Sequence, residues 1–405
     1  MNSLRSRGML AGVIAGFVGM LCAGRAMAQM APRVQTLHMP DGSIQPQVAV
    51  DSRGTLHLLY YRGDAGHGDV FYVRSSDGGA TFSAPIRVNS QPESAIAAGN
   101  MRGAQIAIGR NGIVHVCWNG ATKALPKGPL NPGMPADSVY NGTPMLYSRL
   151  NNAGTAFEPQ RNLMRFSYGL DGGGSVAADP AGHVFVVWHA AANGSRGPSG
   201  RSVFVARSED DGMTFAREAP AWSEPTGCCE CCAVKAFVDS QGLLRILYRT
   251  AKANVDRDIY LLSSSDAGTT FTGGLVHPWN INVCPMSTEA YADGAAGLYV
   301  GWETEWQVYF GPVDRGTGKV TRIVPAPGTG APKRQHPALA VNPQGQVLMA
   351  WTVGMGWNQG GSVAWQVFDP NGQPVAGTRG RADGVPAWSL VAAFPRPDGS
   401  FVVVY

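Results

Sequence analysis

Short runs of alternating apolar and polar residues recur along the chain and predict β-strands from one end to the other. Seven of these runs share one plan: an apolar strand, a turn that ends in Gly, and a second strand that ends in an aromatic residue. Val184, Val186 and Trp188 show the period of two that is typical of strands. The seven Gly-to-aromatic pairs are Gly54…Tyr60, Gly112…Trp118, Gly182…Trp188, Gly242…Tyr248, Gly297…Trp302, Gly345…Trp351 and Gly399…Tyr405. The pattern therefore predicts an all-β protein built on seven hairpins.

A third predicted strand and a turn follow each of the first six hairpins. In three copies the turn has the pattern Ser-x-Asp-x-Gly-x-Thr-Phe, at Ser75 to Phe82, Ser208 to Phe215 and Ser264 to Phe271. A fourth strand comes next. Four short antiparallel strands in a repeat of roughly 50 to 60 residues are typical of a β-propeller blade.

The number of blades follows from how the ring closes. Six copies of the repeat are complete, and the seventh hairpin ends at Tyr405. The segment Arg33 to His38 can pair with that hairpin, because an unpaired half blade would expose a long edge. We therefore predict one propeller domain of four-stranded antiparallel blades over residues 29–405, with seven blades favoured. Six blades with the terminal segments outside the ring is the alternative.

The Ser-x-Asp-x-Gly-x-Thr-Phe turns resemble the Asp boxes of the sialidase-like β-propeller superfamily. In such a turn the Asp carboxylate accepts backbone N–H groups, and Gly permits the tight bend. The resemblance covers the mature chain and extends to exported bacterial proteins labelled exo-α-sialidase-like. It implies a fold but no particular chemistry. It assigns a structural role to Asp77, Gly79, Asp210, Gly212, Asp266 and Gly268.

The first 28 residues have the features of a secretory signal peptide. Arg5 and Arg7 precede the apolar run Met9 to Cys22, and Ala26 to Ala28 form a small-x-small cleavage site. Cleavage also removes Arg25 but no acidic residue, so the net charge falls from +4 to about +1. The chain shows no basic patch for nucleic acid and no second apolar run of membrane-spanning length. We expect a periplasmic or secreted monomer.

Strand alternation divides the loops between two faces of the propeller. Turns after the first and third strands share the face of the Ser-x-Asp turns, and the other loops lie on the opposite face. The resemblance implies that this opposite face binds the ligand, either a small molecule, a glycan or a metal ion. The ligand-binding candidates from these loops are Arg102, Asn119, His189 and His336.

The mature chain has six cysteines, four of them in the run Gly-Cys-Cys-Glu-Cys-Cys that begins at Gly227. Their positions in the repeat predict one sulfur-rich sector on the ligand face. Disulfides are one interpretation, because the count is even and the chain is expected to be exported. A copper or zinc site and a redox thiol are the others. The six are Cys117, Cys228, Cys229, Cys231, Cys232 and Cys284.

The sialidase resemblance also suggests a set of catalytic candidates. Sialidases hold a carboxylate with three arginines, and Arg62, Arg249 and Arg257 could supply them. Asp64 could act as the acid, and Glu303 lies near the same face. The Arg-Ile-Pro signature of the family and a Tyr–Glu pair are both missing, so we expect little turnover of sialosides.

Three classes of function follow from the sequence. The first is an exported propeller that binds a ligand on the cysteine-bearing face, with copper or zinc as a possible ligand. The second is a glycoside hydrolase that acts on acidic glycans, and the third is a metal or redox enzyme. Three convergent arginines beside a Tyr–Glu pair would favour the hydrolase, whereas an open arrangement of sulfur atoms would favour metal binding.

Overall fold

The computed structural model describes residues 33–138, 141–328 and 332–405. The predicted signal peptide and its cleavage site lie outside these residues. The described chain forms seven sheets arranged as successive blades. None of its helices is long and apolar enough to cross a membrane.

Each of the first six blades has four antiparallel strands in chain order. After β1 (Val34–Leu37), blade 1 has β2 (Ser43–Val50), β3 (Leu56–Asp64), β4 (His67–Ser75) and β5 (Ile86–Arg87), blade 2 has β6 (Gln105–Ile108), β7 (Val114–Asn119), β8 (Met145–Arg149) and β9 (Arg161–Asn162), and blade 3 has β10 (Ser175–Ala178), β11 (Val184–Ala190), β12 (Ser202–Ser208) and β13 (Ala219–Pro220). Blade 4 has β14 (Val234–Val238), β15 (Leu244–Arg249), β16 (Ile259–Ser264) and β17 (Thr272–His277), blade 5 has β18 (Ala290–Gly294), β19 (Gly297–Thr304), β20 (Gln307–Val313) and β21 (Val324–Pro325), and blade 6 has β22 (Arg334–Val341), β23 (Val347–Val353), β24 (Gly361–Phe368) and β25 (Gly380–Val385). Two single-turn 3-10 helices, Arg110–Gly112 and Pro198–Gly200, lie in loops.

The seventh blade closes the ring and differs from the other six. It consists of β26 (Ala392–Pro395), β27 (Phe401–Val404) and the N-terminal strand β1 in the order β1-β27-β26. Strand β1 runs parallel to β27, with Val34 opposite Phe401 and Leu37 opposite Val404. The predicted closure and the seven blades are confirmed. In this blade the described chain supplies one closing strand, and that strand enters in the parallel sense.

The apolar residues of the strands pack between neighbouring blades. Each of the seven blade junctions holds one cluster, so that Trp118 of blade 2 packs with Leu59 of blade 1, and Val404 of blade 7 with Leu58. The strand-two tryptophans of blades 2, 3, 5 and 6 are among the largest fully buried side chains: Trp118, Trp188, Trp302 and Trp351. The spacing from Gly to aromatic seen in the sequence therefore places one large ring at the centre of each junction.

The hairpin of blade 5 has a shorter turn than the others. Its Gly297 pairs directly with Gly294 in the ladder, whereas Gly54 of blade 1 lies within the turn at a φ of +79°. The aromatic Trp302 consequently follows its glycine by five residues instead of six.

The three Ser-x-Asp turns have the hydrogen bonds expected from their sequence. In the first, the Asp77 carboxylate accepts the N–H groups of Ala80 and Thr81 at 3.0 and 2.9 Å, and Ser75 Oγ accepts the Gly79 N–H at 2.9 Å. The hydroxyls of Ser75 and Thr81 also donate to Asp77 and lower the pKa of its carboxyl. The turns at Asp210 and Asp266 repeat this arrangement. All three close a third-to-fourth strand connection, so they mark one face of the ring.

Candidate functional site

The inner strands of the seven blades enclose a central channel with a volume of about 390 Å³. Its end on the cysteine-bearing face is polar and is lined by Gln105, Lys235, Glu289 and His336. Its other end is lined mainly by apolar residues such as Val341. Each inner strand starts in a between-blade loop and finishes at a hairpin turn. The polar end adjoins the loops that carry the cysteines.

Four cysteine sulfur atoms form a compact cluster in the loops that lead into blades 4 and 5. Disulfides join Cys229 to Cys232 and Cys231 to Cys284, with Cα–Cα distances of 5.4 and 6.5 Å. The sulfur atoms of Cys229 and Cys284 are also only 3.7 Å apart. Those of Cys229, Cys231 and Cys284 all lie within 4.8 Å of one another. The predicted contact between the cysteine run and Cys284 is therefore present, and we name these four residues the sulfur cluster.

The other two described cysteines lie outside the sulfur cluster. Cys117 is fully buried in the junction of blades 2 and 3, where it packs among residues such as Met145 and Tyr147. Cys228 is buried with Tyr248 in the junction of blades 3 and 4. Burial raises the pKa of both thiols, that of Cys228 to about 12, so neither is a reactive thiolate. The prediction that all six cysteines converge is wrong, because the Cys117 side chain points into the blade junction.

Buried polar contacts fix the loop of the sulfur cluster. His189 is fully buried, with Nε2 2.8 Å from the Cys232 carbonyl oxygen, and its Nδ1 accepts a hydrogen bond from Arg201 Nε at 3.1 Å. Arg201 also pairs with Glu230, at 3.2 Å. Burial lowers the pKa of His189 to about 3, so its ring is neutral at pH 7. His189 therefore supports the loop through its contacts with Cys232 and Arg201, and its ring is not exposed to a ligand.

Arg249 is the centre of a second buried network beneath the same loops. Its Nε donates to Ser287 Oγ at 2.7 Å, its Nη1 to the Arg257 carbonyl at 2.5 Å, and its Nη2 to the Glu303 carbonyl. Its guanidinium also lies over the Trp279 ring, 5.1 Å from the centroid. All three of its nitrogen atoms are thus engaged inside the protein. Arg249 is also only 1% exposed, so a substrate carboxylate does not reach its guanidinium in this structure.

Two buried glutamates flank this arginine. Glu289 and Glu303 are buried, and neither carboxyl group has a well-formed hydrogen bond in the described structure. Burial raises the pKa of each to about 8, although the charge of Arg249 opposes the shift. The His336 amide and the Gln335 side chain approach Glu303 closely enough to lower its pKa, but they do not meet hydrogen-bond geometry. Both carboxyls are therefore largely protonated at neutral pH.

A lysine in the channel completes the polar end. Lys235 donates to Gln105 Oε1 at 2.6 Å. The enclosing walls lower its pKa to about 8, and the channel leaves it partly accessible to water. Sequence reasoning missed Lys235 and Glu289, because their place in a repeat alone does not show that the ring buries them together.

The remaining predicted site residues do not form one constellation. Arg62 and Asp64 are exposed in blade 1, where Arg62 donates to the Asp41 carbonyl at 2.9 Å, whereas Arg249 and Arg257 belong to blade 4 and Glu303 to blade 5. The three-arginine clamp suggested by the sequence is thus divided between blade 1 and blade 4.

Three ligand-binding candidates make contacts within the protein. Arg102 pairs with Asp171, and Asn119 Nδ2 donates to the Gly172 carbonyl at 3.0 Å. His336 lines the channel, where Asn100 Nδ2 lies 3.3 Å from its Nε2. Of these candidates, His336 is the one that faces the channel.

Comparison with known proteins identifies the fold. No protein-family model and no curated protein matches the sequence. An α-L-arabinanase of Penicillium chrysogenum matches with a TM-score of 0.51 and 14% identity, over 84% of this chain and 98% of that one. A sialidase of Trypanosoma rangeli matches with a TM-score of 0.50 and 14% identity, over 80% of this chain and 54% of that one.

A sialidase of Streptococcus pneumoniae is similar at a TM-score of 0.49 and 11% identity, over 76% of this chain, which spans only 65% of that protein. Identities this low bear on fold alone. The seven blades, together with the matches to the arabinanase and the Trypanosoma sialidase, show that the chain has a β-propeller fold similar to those of these two proteins.

Proposed function

We propose that this protein is a ligand-binding propeller whose sulfur cluster holds one soft metal ion, Cu(I) or Zn(II), when the four cysteines are reduced. The observation that carries the proposal is the 3.7 Å separation of the Cys229 and Cys284 sulfur atoms, which belong to different disulfides. Two thiolates bound to one tetrahedral zinc at ~2.3 Å are separated by about 3.8 Å. The unbonded pair already has this spacing.

The charges around the cluster also favour thiolates. Arg201 is buried beside the loop, and Arg257 has buried Nε and Nη1 atoms without a hydrogen-bond partner among the described residues. Glu230, between the two pairs of cysteines, pairs with Arg201 at 3.2 Å, and its charge also acts on Arg257. Positive charge stabilises a thiolate over a thiol, and clustered thiolates suit copper and zinc better than hard cations.

The two oxidation states give the cluster two chemical forms. Oxidised, it contains two disulfides, and reduced, it offers four sulfur ligands on two loops that buried contacts hold in place. Export to the periplasm or beyond is part of this proposal, since an oxidising compartment favours the first form.

Metal analysis of the reduced protein tests the proposal. Protein reduced with a phosphine under argon should bind one Cu(I) or Zn(II) ion per chain, measured by elemental analysis after gel filtration. Cys231→Ser should lose the ion, whereas Cys117→Ser, which alters a thiol outside the cluster, should retain it. Absence of bound metal in the reduced wild-type protein, or equal binding by Cys231→Ser, would contradict the proposal.

A glycoside hydrolase is the second candidate, and Glu289 favours it. A carboxyl group that remains protonated near neutral pH is what a general acid requires, and Glu289 contributes to the channel lining. Activity on fluorogenic glycosides that disappears in Glu289→Gln, without loss of folding, would support this candidate. The metal-free protein is the form to assay, since the two proposals then give independent results.

A further inference from the structure

Two pairs of tryptophans lie in the loops of the cysteine-bearing face. Trp279 and Trp306 meet edge to face, with ring centroids 5.3 Å apart and an interplanar angle of 89°. Trp357 and Trp388 repeat this geometry at 4.6 Å and 87°. Trp357 lies in the loop between β23 and β24, and Trp388 in the loop between β25 and β26. The two pairs have the same geometry but different surroundings.

The first pair is covered by cations of the protein itself. The Arg249 guanidinium lies 5.1 Å from the centroid of Trp279, and the Lys333 ammonium lies 3.8 Å from that of Trp306. Trp279 is buried. These contacts use the faces of both rings, so this pair contributes to packing.

The second pair has no such cover. Trp357 is 66% exposed, the largest exposed fraction among the large apolar side chains of the described residues. Among the described residues, no Lys or Arg side chain lies over either ring of this pair. A large aromatic side chain left this exposed on a loop is a mark of a binding surface.

The backbone of Trp388 shows that its position is enforced. Trp388 has a φ of +62°, in the left-handed region that bulky residues avoid. Gln45 of blade 1 holds this conformation across the ring closure, because its Nε2 donates to the Trp388 carbonyl at 2.7 Å and its N–H to Ser389 Oγ at 3.0 Å. Unfavourable backbone conformations that the surrounding structure maintains are concentrated at functional sites.

We propose that the exposed ring of Trp357, held in a perpendicular arrangement by Trp388, forms a stacking platform for a sugar ring of a glycan. The apolar C–H face of a pyranose matches the flat, electron-rich face of an indole. Asn358 and Gln359, both exposed, follow Trp357 and can hydrogen-bond sugar hydroxyls. A cationic ligand fits less well, because Lys333, Arg381 and Asp383 on the flanking elements carry one more positive than negative charge. The platform is separate from the sulfur cluster and does not depend on the metal proposal.

Protection of the exposed ring tests the platform. Intact protein is titrated with cellohexaose, xylohexaose and 3′-sialyllactose, and indole fluorescence quenching by acrylamide reports access to Trp357. At least one of the three glycans should reduce quenching in the wild type, and Trp357→Ala should bind it about tenfold more weakly. Met213→Ala is the matched control, since Met213 is 52% exposed but belongs to a Ser-x-Asp turn on the opposite face.

Failure of all three glycans to protect the ring would overturn the proposal, as would equal affinity in Trp357→Ala. Protection by tetramethylammonium chloride without protection by any glycan would also overturn it, and would assign the platform to cations. Trp357 is exposed, so its replacement should leave the thermal transition unchanged, and circular dichroism checks this.

Discussion

Arg249 donates its Nη2 hydrogen bond to the backbone carbonyl of Glu303 and not to the Glu303 carboxylate. The arginine therefore holds the main chain of blade 5, while the carboxyl group it might have neutralised stays buried without a hydrogen-bond partner. A group in that position is more stable when protonated. The contact makes Glu303 sensitive to pH.

Replacing Glu303 with Gln should stabilise the protein at alkaline pH. Burial raises the pKa of Glu303 from its ordinary value of 4.5 to about 8. The folded state thus retains a proton that the unfolded chain releases, and this stabilising contribution, complete below pH 4.5, is lost as the pH rises through 8. At pH 9 the melting temperature of Glu303→Gln should exceed that of the wild type by about 2 °C or more.

The same comparison at pH 5 serves as the internal control, because the wild-type carboxyl is then protonated and the two proteins should melt nearly together. Glu93→Gln, at an exposed site, should behave like the wild type at both pH values. A melting difference that does not depend on pH would contradict the assignment.

Arg249→Ala should destabilise the fold and not merely reduce binding. The change removes three hydrogen bonds and leaves buried acceptors unpaired, at a cost of about 3 kcal/mol or more in free energy of unfolding. Arg62→Ala removes an exposed arginine and should change it by less than about 0.5 kcal/mol. Urea denaturation measures the free energy of unfolding of both variants. A similar loss in the two would show that the hydrogen bonds of Arg249 do not stabilise the fold.

The thiols of Cys117 and Cys228 should react only on unfolding. Both are buried, and their raised pKa values leave very little thiolate at pH 8. A chain that begins at Ala31, purified without reductant, should show almost no reaction with a thiol reagent when folded and two thiols per chain in guanidinium. After reduction, the denatured protein should show six thiols per chain. Four thiols in the unreduced, denatured protein would show that one disulfide is not formed, and six would show that neither is.

Removal of the closing strand should destabilise the ring. Strand β1 covers the outer edge of β27, whose residues Phe401 to Val404 are fully buried. A chain that starts after His38 would expose this edge and should melt lower or aggregate, whereas a chain that starts at Ala31 should not. Differential scanning calorimetry compares the two. Equal melting temperatures would mean that the seventh blade is stable without β1.

Simple sialosides should not be substrates. Arg62 is exposed in blade 1, whereas Arg249 is fully buried and bonded to the protein through each of its nitrogen atoms, so the three arginines proposed from the sequence cannot grip one carboxylate together. Release of a fluorogenic aglycone from a sialoside should stay at the background rate. Activity well above background, abolished by Arg257→Ala in a folded protein, would contradict this expectation.

The architecture was predictable from the sequence, because each blade repeats the same local pattern. A period of two fixes which side of a strand is buried, and the Gly-to-aromatic spacing places residues such as Trp118 and Trp351 in the junctions. The parallel entry of β1 was not predictable in the same way. Strand pairing can be inferred from edge exposure, but its direction depends on where the chain enters the ring.

The site was predictable only where sequence position alone determines the location. Cys284 and the cysteine run occupy equivalent loops in neighbouring repeats, and they do meet. Cys117, in contrast, lies within strand β7. Its side chain is on the side of that strand that packs into the core, away from the sulfur cluster. The burial of Glu289 and Glu303 around Arg249 depends on contacts between two blades. No local pattern encodes such contacts.

The pairing of Val34 with Phe401 has a consequence for how the molecule is made. An array of stacked repeats can nucleate anywhere and grow from either end, but this array is joined to itself through its first and last strands. The final blade cannot assemble until β27 has been synthesised, so the emerging polypeptide carries an unfinished ring that any chaperone or translocation machinery must accommodate. Once sealed, the ring has no terminal repeat from which to fray, and unfolding must begin by breaking that one seam or by opening a blade from within.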